Sequence, residues 1–125
     1  MQINDYEQKL LEGWEDVYRK GQLSLWILLA LKDGPKYMSE IKSFIEDTTA
    51  HTISADDKSM YRALRRYDSA ALIEFTLEPN ASGPDRKIYS LTDTGGNVLA
   101  AFVERNITNV LYQSTVRNLI ENKEF

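Results

Sequence analysis

Between Lys58 and Arg66 the chain carries four cations, Lys58, Arg62, Arg65 and Arg66, and no acid. Arg86-Lys87 adds a basic pair downstream. Cations at this spacing neutralise phosphate oxygens, and a guanidinium that reaches a guanine edge reads it through paired N–H donors. Tyr61, among them, has two roles open to it: its hydroxyl reaches a phosphate, or its ring packs under the helix. Asn80, Ser82, Arg86 and Lys87 lie in or beside a polar loop from Pro79 to Pro84, where contacts to backbone phosphates would position a protein without specifying sequence. The competing account is that these cations form an ordinary solvated face and protect a strand edge.

Enzyme chemistry finds few candidates. There is no cysteine, and the one histidine, His51, has no partner at ligand spacing, so it reads as a solvated loop residue. Gly95-Gly96 lacks the rest of a phosphate-binding loop and reads as the first turn of a helix. No catalytic residue, cofactor or metal is expected.

The elements that must position the cations follow from periodicity. Leu10, Leu11, Trp14, Val17 and Tyr18 mark one face of an amphipathic helix that Gly21 ends. Leu23 to Lys32 is apolar almost all round, which suits the centre of a small core, and Asp33-Gly34-Pro35 stops it. Ser39 is expected to cap a short helix to Asp47, with Ile41, Phe44 and Ile45 inward and Thr48-Thr49 letting it fray. Ser54 and Asp57 form a capping-box variant for a helix to Ala71, whose Met60, Leu64 and Tyr67 face the core. Leu72 to Glu78 alternates as a half-buried strand with Ile73, Phe75 and Leu77 inward, and Arg86 to Leu91 is the return strand. Thr92 caps a final helix of roughly 28 residues to Ile120, or about 42 Å, whose apolar stripe begins at Val98.

The order helix, helix, basic helix, hairpin is that of a winged helix-turn-helix, whose third helix enters a major groove. The expected fold is mainly α with a small β-hairpin (α+β), divided as an N-terminal amphipathic helix (1–21), the winged helix-turn-helix (22–92) and a long C-terminal helix (93–125). That stripe exceeds what the body can cover, so it is expected to pair two copies. Leu10, Trp14, Phe102, Val103, Ile107, Val110, Leu111 and Leu119 are the candidate seam. Trp14, Tyr18, Phe102 and Tyr112 are candidates for an apolar ligand pocket between subunits.

A length of 125 residues with 42% hydrophobic and 27% charged residues suits one soluble domain plus association helices. The net charge of −4 runs against nucleic-acid binding. Its distribution tempers this, because acids gather at Asp5, Glu7, Glu12, Glu15 and Asp16 and at Glu121 and Glu124. No run approaches the ~18 apolar residues of a bilayer span, and the start lacks the pattern of a secretory signal. A cytoplasmic protein with no membrane contact is expected.

Leu28-Leu29-Ala30-Leu31, Gly34-Pro35 and Glu40-Ile41 resemble the opening helices of the PadR-like family of winged-helix transcriptional regulators. Ser59 to Tyr67 is similar to that family's recognition helix. Gly83-Pro84 and Arg86 to Gly95 are similar to its wing and the start of its C-terminal helix. The resemblance covers about Leu23 to Leu99. It departs at Met38 and Ser39, where the family usually has Gly then an aromatic residue, at Ala71, where it usually has Gly, and at Tyr67, where Leu is common. It implies a dimeric, DNA-binding repressor, often one that responds to a small ligand, and makes Lys58, Ser59, Tyr61, Arg62, Arg65, Arg66, Asn80, Ser82, Arg86 and Lys87 the candidate DNA contacts. The alternative is a winged-helix domain used for protein–protein contact without DNA.

Overall fold

The structure is a computed structural model that describes residues 2–122, so Glu124 and the end of the 93–125 unit lie outside the described residues. In chain order it runs α1 (Asp5–Arg19), α2 (Leu23–Asp33), β1 (Lys36–Tyr37), α3 (Met38–Thr48), α4 (Asp57–Ser69), β2 (Ile73–Glu78), β3 (Arg86–Leu91) and α5 (Asp93–Val103). A π-helical segment (Glu104–Thr108), α6 (Asn109–Leu111) and α7 (Ser114–Glu121) follow. The sheet is antiparallel in the order β1-β3-β2. With its helices this makes an α+β winged helix, as expected.

The core forms where α2, α3, α4 and the sheet meet. Ile27, Ile41, Ile45, Met60, Leu64 and Ile73 are its largest fully buried side chains, and Tyr67, Tyr89 and Leu99 close its edges. Met60, Leu64 and Tyr67 recur at i, i+4 and i+7, which turns one face of α4 inward and the basic residues outward. Thr92 caps α5 as expected, its hydroxyl accepting the Gly95 N–H at 2.9 Å. That first turn sits tightly on the strand: a Cβ on Gly95 would lie 1.9 Å from the Leu72 carbonyl oxygen.

Several local expectations need correction. The cap of α4 is Asp56, whose side chain accepts the Ser59 N–H at 2.7 Å, and not Ser54. Burial of Ile53 anchors the connection, so the helix begins only at Asp57 and ends at Ser69. Ser39 does not cap α3. Lys36 and Tyr37 pair with Tyr89 and Ile88, a third strand too short to show alternation, and the chain passes straight from Tyr37 into the helix. Leu77 is 58% exposed, because the hairpin has run past the core there.

The C-terminal helix is not one continuous rod. After α5 the ladder widens into the π segment, and the chain breaks at Tyr112-Gln113 before α7. The reason is local: Asn106 Nδ2 donates to the Phe102 carbonyl at 3.0 Å, and Asn106, Thr108 and Asn109 are residue types with weak helix propensity. Helix α1, closed at Asn4 by reciprocal bonds with Glu7 and followed by Gly21 at φ +84°, buries none of its residues.

Candidate nucleic-acid interface

Residues one helical turn apart on α4 form its outer face, and Lys58, Tyr61, Arg62 and Arg65 border one shallow recess of about 480 Å³ there. Behind this face α4 is tied to α3 by an ion pair, Lys42 Nζ to Asp57 Oδ1 at 2.7 Å. The bond to Asp57 pushes the Lys42 ammonium up from its ordinary value. The Ser59 backbone N–H, with a further bond from the Ser59 side chain, holds the Asp56 carboxyl below its ordinary value. The positive end of the α4 dipole is thereby met by two carboxylates.

The wing meets this helix at Tyr61. An open groove of about 520 Å³ is lined by Tyr37 and Ser39 at the start of α3, by Tyr61, and by Arg86, Lys87 and Tyr89 of β3. A smaller crevice of about 70 Å³ joins Tyr61 and Arg65 to Phe75 and Lys87. Tyr61 borders both of these and the helix recess, and at 53% exposure it is neither packed under α4 nor free in solvent. The basic helix face and the wing are therefore one continuous surface. Not every acid faces away from it, since Asp85 lines the groove and Asp68 the crevice.

Aromatic rings hold the two wing cations. Lys87 Nζ lies 4.4 Å from the Phe75 ring centroid, and that ring leans on Tyr89 at 5.8 Å. The Arg86 guanidinium lies 3.7 Å from the Tyr37 ring centroid. The Tyr37 hydroxyl donates to the Glu78 carboxylate, and that bond is the main reason the phenol is pushed up from its ordinary value. Burial does the same to Tyr89.

The remaining candidates are placed differently. Arg66 stacks on Tyr67 at 5.1 Å and donates to its hydroxyl at 3.2 Å, while that hydroxyl also bonds Ser24, so Arg66 turns toward α2 and borders neither groove nor recess. Ser59 lies at the flank of α4, in a recess shared with Arg19 and Lys20. Asn80 and Ser82 bond one another, Ser82 donating its N–H and hydroxyl to Asn80 Oδ1 at 3.3 and 3.0 Å, which shapes the wing loop. Sequence reasoning missed Tyr37, Lys42 and Glu78. The hairpin register sets Glu78 opposite Arg86 and was inferable from the loop, whereas the Tyr37 contact needs the third strand.

The aromatic candidates for a ligand pocket do not gather within one copy. Phe102 lines a cavity of about 230 Å³ with Ser24, Leu28, Tyr67 and Val98. Trp14, Tyr18 and Tyr112 lie outside it, 73%, 60% and 64% exposed. Among the described residues no group of three or more His, Cys, Asp or Glu side chains is arranged to hold a metal. No helix among them is long and apolar enough to cross a membrane.

The family model of the transcriptional regulator PadR-like family matches residues 27–101, from the centre of α2 through most of α5. Among solved structures, a PadR-like transcriptional regulator from Bacillus cereus is 29% identical with a TM-score of 0.64, covering 83% of this chain and 96% of its own. A PadR family transcriptional regulator from Eggerthella lenta shares the fold at a TM-score of 0.70 and 24% identity, covering 95% of this chain and 99% of its own. Bacillus subtilis PadR, solved in complex with operator DNA, is 25% identical with a TM-score of 0.59. That likeness covers 65% of this chain and 46% of the B. subtilis protein. No curated protein matches the chain.

Proposed function

The chain belongs to the PadR-like family of transcriptional regulators, and on that premise we propose that it binds double-stranded DNA sequence-specifically, as a homodimeric repressor acting in the cytoplasm. The observation that carries this reading is the continuity of the α4 face with the wing at Tyr61. Arg62 and Arg65 are the candidate base readers, with Lys58 and Tyr61 beside them. Arg86, Lys87 and the loop residues Asn80 and Ser82 are the candidate phosphate contacts. The related PadR solved with operator DNA supports the same partner for this chain.

Dimerisation rests on unpartnered apolar surface. Leu10, Trp14, Phe102, Val110, Leu111 and Leu119 are 40–73% exposed, and Val103 and Ile107 are half-buried beside them. A second copy covers such a seam by two-fold pairing, which also sets two α4 helices on half-sites about one DNA turn apart. A small apolar effector is supported by the cavity at Phe102, with Trp14, Tyr18 and Tyr112 joining it only across such a dimer.

A second reading, a winged helix that docks on protein without DNA, draws on the net charge of −4 and on Asp68 and Asp85 at the surface in question. Selection of duplexes from a random pool, followed by footprinting of the winner, separates the two. DNA binding predicts enrichment of a site with two related halves. An adaptor domain predicts no enrichment.

A further inference from the structure

The arginine at the loop end of the wing is held by its flat face and left open at its edge. Its guanidinium lies 3.7 Å from the Tyr37 ring centroid, and among the described residues no carboxylate or carbonyl accepts from it. Tyr37 is itself fixed three ways. It pairs with Ile88 in the sheet, its N–H donates to Glu40 Oε1 at 2.9 Å, and its hydroxyl donates to Glu78. Glu78 stands directly opposite Arg86 in the hairpin ladder, where a carboxylate is well placed to take the guanidinium for itself. It bonds the phenol instead. The result is a planar cation with restricted rotamers, its N–H donors lying in the plane that a phosphate would approach.

We propose that Tyr37, tied by Glu78, is a positioning residue that presents the edge of Arg86 to a backbone phosphate of bound duplex, at the mouth of the groove shared with Ser39 and Tyr61. The proposal rests on the DNA-binding reading above. Stacking removes freedom that Arg86 would otherwise lose on binding, so the ring contributes to affinity only through the arginine.

A double-mutant cycle between Tyr37→Leu and Arg86→Ala tests this, with affinity for a selected duplex measured at several salt concentrations and fold checked by circular dichroism. Tyr37→Leu is expected to weaken binding about three- to five-fold in the parent and to change nothing once Arg86 is alanine. Tyr37→Phe keeps the ring and loses the bond to Glu78, so it lies between parent and Tyr37→Leu. It carries the same cycle with a smaller effect if the leucine variant fails to fold. Equal losses from the Tyr37 change in both backgrounds would overturn the proposal, because Tyr37 would then act independently of Arg86. An Arg86→Ala variant with full affinity and an unchanged salt slope would overturn it too. A parent protein that binds no duplex would remove the DNA-binding reading and this inference with it, an outcome distinct from binding with additive losses.

Discussion

Ala71 occupies a backbone conformation that its side chain disfavours. Its φ is +61°, in the left-handed region where glycine carries no Cβ penalty, and it forms the turn from α4 into β2. Ala71→Gly is therefore expected to stabilise the protein by about 0.5–1 kcal/mol, less than the full strain because glycine is freer when unfolded. Chemical denaturation measures it. Asp56 gives a pH signature. Its folded carboxyl titrates below the unfolded value, so its contribution is complete above the unfolded value near 3.8 and is lost as pH falls through the folded one. Asp56→Asn keeps an acceptor for the Ser59 N–H and removes the charge. Its denaturation midpoint should fall below the parent's at pH 7, and the gap should close as pH falls below the unfolded carboxyl value. The basic positions were legible because charge at helical spacing shows in the sequence. Tyr67 was legible as core, whereas its capture of Arg66 was not, since a hydroxyl contact with Ser24 across two helices leaves no periodic trace.

At the level of elements, the return strand Arg86–Leu91 and the Thr92 cap matched expectation, because alternation and capping are local signals. What local signals could not give was β1, two residues whose strand character comes from pairing with β3. The broken C-terminal helix shows the converse: an apolar stripe at helical spacing predicts one long helix, while Asn106 and its neighbours decide whether the ladder stays regular. The wing carries its own prediction. If Arg86 and Lys87 touch phosphates, alanine at either should weaken binding about equally for all duplexes and reduce the salt slope by ~1 each. A shift in preferred sequence with the slope unchanged would assign these two residues to base reading. Fluorescence anisotropy against a small panel of duplexes distinguishes the cases.

For the whole molecule, the unpartnered apolar surface on α1 and the C-terminal segments is the dominant feature. Removing several hundred Å² of it from water is worth of order 10 kcal/mol gross at ~25 cal/mol/Å². Association entropy opposes this with a term of comparable size, so a dimer formed through this surface should be sensitive to single changes in the seam. Leu111, 40% exposed in one copy, is such a position. Leu111→Asp should yield monomers by light scattering that have lost specific DNA binding, because two half-sites are no longer engaged together. A parent protein that scatters as a monomer at micromolar concentration would contradict both the dimer and the paired half-sites.

DNA binding through the α4 face and wing is tested most directly by the salt dependence of duplex affinity. Each phosphate that Lys58, Arg86 or Lys87 neutralises would release condensed counterions, so log K should fall linearly with log salt at a slope of about −0.9 per contact. The parent protein is expected to give a slope of several units on its selected duplex. Arg62→Ala with Arg65→Ala should keep its fold yet lose ~1–3 kcal/mol for each arginine that reads a guanine edge. Absence of binding at moderate ionic strength, or a folded double variant with full affinity, would contradict the account.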